Sequence, residues 1–94
     1  MLVKIKKLQV DSDGHNRNIS LKTMYVNTAN IISISDHESV TEFLLNEGLT
    51  TSSDRFSLIK INQGDKVEDI IAHGSSEFIH ASINKSASLD LLRG

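Results

Sequence analysis

The chain of 94 residues contains no cysteine, no proline and no tryptophan. Without cysteine there is neither a disulfide framework nor a thiolate metal site, and the usual stapling of small secreted domains is excluded with them. No apolar run approaches the ~18 residues that a membrane-spanning helix needs. Lys4, Lys6 and Lys7 are not followed by an apolar block of roughly 7–15 residues, so a secretory leader is not expected and the cytoplasm is the expected compartment. Aromatic side chains are confined to Tyr25, Phe43, Phe56 and Phe78. Charge of one sign is lacking too: the net charge is −2. Lys4, Lys6, Lys7, Arg17 and Lys22 against Asp11 and Asp13 leave residues 1–30 at +3, and Arg55 against Asp36, Glu38, Glu42, Glu47 and Asp54 leaves residues 31–55 at −4. That imbalance is too weak to name a polyanionic partner, but it suits head-to-tail self-association.

What is present is isoleucine, serine and asparagine. With 38% apolar residues, the chain is expected to form one domain over residues 1–94. A domain of this size buries roughly 60–65% of its unfolded surface, which leaves a stability near ~5 kcal/mol. A thin isoleucine core favours further burial against a partner subunit. The same composition, with proline absent, matches the coding drift of AT-rich genomes such as those of many bacteriophages, so a bacterium or a phage-infected host is the expected setting.

Residues 2–10 alternate as a strand. The parity of the apolar positions changes between Ile5 and Leu8, which suggests a bulge or an end of pairing at Lys6 and Lys7. Asp13-Gly14 supplies the positive φ of a tight hairpin turn. Residues 18–27 return as a second strand. Residues 27–30 form a corner in which asparagine bonds its own backbone. Residues 31–36 make a third strand with Ile32 and Ile34 inward. Ser39-x-x-Glu42 has the form of a capping box ahead of Val40, Phe43 and Leu44, with Gly48 as the stop. Residues 56–62 read as a fourth strand. Asp65-x-x-Glu68, followed by the stripe Val67, Ile70 and Ile71 and by Gly74, predicts a second helix. Residues 77–83 fit either a fifth strand or a continuation of that helix. Leu89, Leu91 and Leu92 suggest a helical turn in a tail, residues 75–94, that docks on its own core or on another subunit.

No constellation carries chemistry. Asp11-x-Asp13-Gly14-x-Asn16 has its glycine at the fourth position and Lys22 at the twelfth, where a calcium loop needs Gly at the sixth and Glu at the twelfth; a hairpin turn accounts for it. His15, His37, His73 and His80 lack a ligand spacing, and capping or solvated roles account for them. The thirteen serines are not accompanied by a G-x-S-x-G elbow. The five glycines are too dispersed to cradle a phosphate. The carboxylates Asp36, Glu38, Glu68 and Asp69 flank expected helix starts, where the helix dipole stabilises them. No catalytic residue, cofactor or metal is expected. For nucleic acid the candidate set is Lys4, Lys6, Lys7, Arg17 and Lys22, with Tyr25 the only nearby stacking residue; lysines that blunt a sheet edge account for the same residues.

Two segments carry a family resemblance. Val3-x-Ile5-x-x-Leu8, then Tyr25-Val26-Asn27-x-x-x-Ile31-x-x-Ile34, then Leu58-Ile59-Lys60 leading to Val67-Glu68-Asp69-Ile70-Ile71, resemble the flagellar FlbD-like family of small bacterial and phage proteins, over about half the chain. The longer first hairpin, the insert at residues 38–55 and about twenty further residues at the end depart from that pattern. The resemblance implies a small cytoplasmic accessory or regulatory protein, and no catalytic residue comes with it.

The expectation is therefore an α+β domain: a mainly antiparallel sheet of four or five strands with two short helices on one face. Its expected role is that of a non-enzymatic, self-associating, protein-binding regulator or inhibitor, with Val40, Phe43, Leu44, Leu91 and Leu92 as the contact surface. Nucleic-acid binding by the basic hairpin is the alternative; no membrane is expected as a partner.

Overall fold

Alternating β-branched and polar residues on either side of Gly14 build one long hairpin. The computed structural model describes residues 1–14 and 16–93; the side chains of Asp13, Asn16, Arg17 and residues 85–93 lie outside the description, as does His15. Strand β1 (Leu2–Asp13) pairs with β2 (Asn16–Asn27) without a break, from Leu2↔Asn27 to Asp13↔Asn16. Gly14 turns the hairpin with φ +62°, a region that L side chains avoid. The corner over Thr28–Asn30 is a single 3-10 turn, and the Asn27 side chain accepts from the Ala29 N–H at 3.0 Å. Then come β3 (Ile31–Asp36), α1 (Glu38–Asn46), β4 (Phe56–Asn62), β5 (Val67–His73) and α2 (Ser76–Arg93). The five strands form one antiparallel sheet in the order β2-β1-β5-β4-β3.

The α+β class and the antiparallel sheet are those expected, but the helices are placed differently. Paired residues share a face of a sheet and successive residues alternate. Val3, Ile5 and Val26 of the hairpin join Ile59, Ile61, Ile70 and Ala72, and Ile79 of α2 packs on them. Leu8 and Phe56 join Leu44 of α1, with Val40 and Ile71 against them. The two sets have opposite parity along β1, β4 and β5, so α2 covers one face and α1 the other. Burying apolar area on both faces is the physical reason for the parity change in β1. No bulge lies at Lys6 and Lys7; the strand feeds Val3 and Ile5 into one core and Leu8 into the other.

The expected helix over Val67, Ile70 and Ile71 is strand β5. Only nine residues separate Gly64 from Gly74, and the stripe is β-branched, which favours extended backbone. Ile70 pairs with Ile59 in one core while Ile71 faces the other. A two-sided strand thus imitates the adjacent apolar residues of a helix. A register shift between Ile31 and Ser33 brings both Ile31 and Ile34 onto the α2-side core. Ile32 is left 55% exposed, against the inward position expected for it.

Helix α1 begins two residues earlier than a Ser39 cap implies: His37 is the cap. Its Nδ1 faces the Val40 N–H at 3.5 Å and the Ser39 hydroxyl at 3.0 Å. The helix ends as expected at Gly48, φ +71°. Gly48 N–H donates to Leu45 O and Leu49 N–H to Leu44 O, the paired bonds that satisfy the last carbonyls of a helix closed by a left-handed residue. The segment 77–83 belongs to α2, which also takes in the backbone of the leucine-bearing tail. At 18 residues, α2 is longer than either short helix expected.

Candidate interaction surfaces

β2 is an edge of the sheet. Among the described residues no strand pairs with its outer side, and its twelve residues run without a register shift. An edge of this kind presents a row of backbone donors and acceptors to any other strand. Its side chains add Leu21 and Tyr25, 42% and 63% exposed on one face.

The second feature is a cleft where the sheet is incompletely zipped. β1 meets β5 at one position, Lys7↔Ala72. Beyond it β5 ends and the chain turns away into α2, while β1 continues through residues 2–6. Gly74 makes that turn with φ +119°. Its N–H donates to Arg55 O at 2.7 Å and its carbonyl accepts from the buried Ser57 hydroxyl at 2.7 Å. A side chain at this position would meet the Phe78 ring at 3.1 Å. The resulting cleft, about 690 Å³, lies between residues 3–6 of β1, the loop at 53–55 and the start of α2; Lys4, Lys6, Arg55, His73, Phe78 and Ile79 are among its walls.

His73 and Asp54 meet in this cleft, Nε2 to Oδ1 at 3.0 Å. The other carboxylate oxygen accepts from the Thr51 N–H at 3.1 Å and from its hydroxyl at 3.2 Å. The His73 hydrogen bond comes first, and the Thr51 N–H second, in holding the Asp54 carboxyl below the usual carboxylate range. The His73 ring also stands edge-on to Phe56, centroids 5.5 Å apart. The pair therefore clamps the 49–55 loop onto the end of β5. Nothing in the spacing of the serines or histidines signals that clamp, because Asp54 and His73 meet only after β4 and β5 pair.

The residues singled out from the sequence separate. Leu44 is buried at the centre of the α1-side core and offers no surface; Val40 is half-buried beside it and Phe43 is exposed. The side chains of Leu91 and Leu92 lie outside the described residues. Of the basic set, Lys4 pairs with Tyr25 and Lys6 with Thr23 on one face, while Lys7 pairs with Lys22 on the other. The Arg17 side chain is outside the description. The hairpin lysines thus divide between two faces instead of forming one patch. Among the described residues no group of three or more histidine, aspartate or glutamate side chains could hold a metal ion, and no helix is long and apolar enough to cross a membrane.

Comparison with protein-family models, with curated proteins and with solved structures returns no match to this chain.

Proposed function

We propose that the chain is a small non-enzymatic accessory protein that acts by binding polypeptides, beginning with a second copy of itself across the β2 edges. The observation that carries this reading is the twelve-residue, unbulged outer edge of β2. The edge needs a strand as its partner, and the pattern along it suits an identical one. Antiparallel pairing centred on Thr23 sets Leu21 of one copy opposite Tyr25 of the other, twice, and avoids facing Lys22 with Lys22. Aromatic–aliphatic and Thr–Thr cross-strand pairs each contribute roughly 0.2–1 kcal/mol. A strand pair of this extent is a small interface, of the kind found in weak and transient associations. A regulatory or inhibitory role in the cytoplasm of a bacterium or a phage-infected host, as the FlbD-like resemblance implies, is part of the same proposal.

The test is light scattering across the micromolar range. The wild type is expected to shift from monomer to dimer, and Leu21→Lys with Thr23→Lys, both exposed, is expected to stay monomeric with an unchanged circular dichroism spectrum. A wild type that is monomeric throughout, or a double variant that dimerises equally, defeats the reading. Nucleic-acid binding by the hairpin would show a log K falling with log salt at about 0.7–0.9 per phosphate contacted.

A further inference from the structure

We infer that the cleft between β1 and the β5–α2 turn is a peptide-binding site, whose occupant is an extended segment of a partner protein that alternates acidic and apolar residues. The inference is independent of the β2 edge and rests on three observations. First, residues 2–6 of β1 have β2 on one side and, among the described residues, no strand on the other, since the pairing with β5 is limited to Lys7↔Ala72. A strand entering there would continue the line of β5 and bond to β1 backbone, the mode in which main-chain bonds give affinity and alternate side chains give selectivity. At ~3.3 Å per residue, this stretch of β1 accommodates about five residues.

Second, the two sides of that stretch differ in chemistry. Val3 and Ile5 point to the core that Ile79 covers. Lys4 and Lys6 project from the opposite face, exposed. A strand beside β1 presents its own alternate residues to the same two environments, so its residues next to Val3 and Ile5 must be apolar and those next to Lys4 and Lys6 acidic.

Third, the charge of the cleft is unbalanced. Lys4, Lys6 and Arg55 line it, and among the described residues its one carboxylate, Asp54, is engaged by His73 and Thr51. Arg55 is held in place by its own backbone contacts, Nη1 to Ser52 O at 2.8 Å and to Asp54 O at 3.0 Å. An anionic strand meets a positive wall in which Arg55 is already ordered.

The experiment uses the full chain and a fluorescein-labelled peptide of about six residues that alternates glutamate and valine, read by anisotropy. Its block isomer, with the glutamates together and then the valines, has the same charge and composition. The alternating peptide is expected to bind at least about tenfold tighter than the block isomer. Lys4→Glu with Lys6→Glu is expected to lose about tenfold, whereas Lys7→Glu with Lys22→Glu, on the other face, leaves affinity unchanged. Binding is also expected to slow amide exchange within residues 2–6. The assignment is overturned if the two isomers bind alike, if the Lys7/Lys22 variant loses as much as the Lys4/Lys6 variant, if amides in residues 2–6 are unaffected, or if a single-stranded oligonucleotide displaces the peptide and binds more tightly. None of these outcomes depends on whether the protein dimerises, so this site and the β2 edge succeed or fail separately.

Discussion

Asp36 joins the end of β3 to the start of α2: its Oδ1 accepts from the Ser76 N–H at 2.8 Å. That bond first, and the Ser76 hydroxyl second, hold its carboxyl below the ordinary carboxylate range. A carboxyl with a depressed folded pKa stabilises the fold above its unfolded value, about 3.9. The contribution is lost as the pH falls through the lower folded value. Asp36→Ala should therefore melt below the wild type at neutral pH, with the gap closing in acid; a gap independent of pH in thermal melts would show that the carboxylate charge is not what holds Ser76. The bulge in β3 makes a second residue-level prediction. Ile34→Ala should cost about 2 kcal/mol in urea titration, and Ile32→Ala no more than about 0.5. The sequence makes these isoleucines equal in β propensity, and simple alternation places Ile32 and Ile34 together. Only the pairing of Ile31 with Ile61 and of Ile34 with Ile59 separates them, and a register shift leaves no local signal.

At the scale of elements, what was legible was whatever local chemistry decides. Gly14 at the hairpin turn, the Asn27 corner, the Gly48 stop and the limits of β4 follow from residues that act within a turn of themselves. Gly48→Ala should cost about 1–2 kcal/mol, because it forces an L side chain into the left-handed region at the position that closes α1. Chemical denaturation of the folded variant measures it. β5 departs from the expected helix for the opposite reason. Its apolar residues serve cores on two faces, and a strand buried on both faces loses the period-two signature that marks a half-buried one. The same holds for β1, where a change of parity marks a change of core. His37 was readable as a cap, but the stronger Ser39-x-x-Glu42 pattern competed with it. The candidate cleft was not legible at all, since it is made where β1 outruns β5, and strand lengths relative to one another are a property of the assembled sheet.

For the whole molecule, a sheet covered on both faces by different helices implies two cores of unequal depth. Among the described residues the α2-side core holds eight buried residues and the α1-side core three. Leu44, 1% exposed, carries the smaller one, so Leu44→Ala should cost about 3 kcal/mol, a large share of the stability of a domain of this size. Native-state hydrogen exchange should find the slowest amides in β4 and β5, which are paired over seven positions and buried between both cores. The last quarter of the β1–β2 ladder, beyond the Val10↔Ile19 pair, should open at lower free energy. Protection that is uniform along the hairpin would contradict this.

The single rung between β1 and β5 also sets an order in time. The β1–β2 and β4–β5 hairpins close short loops, and a long loop costs more entropy to close. The Lys7↔Ala72 contact joins positions about 65 residues apart, so it is the costliest contact of the sheet to form and offers the least pairing in return. Folding then proceeds as two locally assembled halves, 1–27 and 31–73, whose joining is the slow step. Truncating Ile5 or Ala72 at the seam should slow folding, whereas substitutions near the hairpin tip should act mainly on the rate of unfolding.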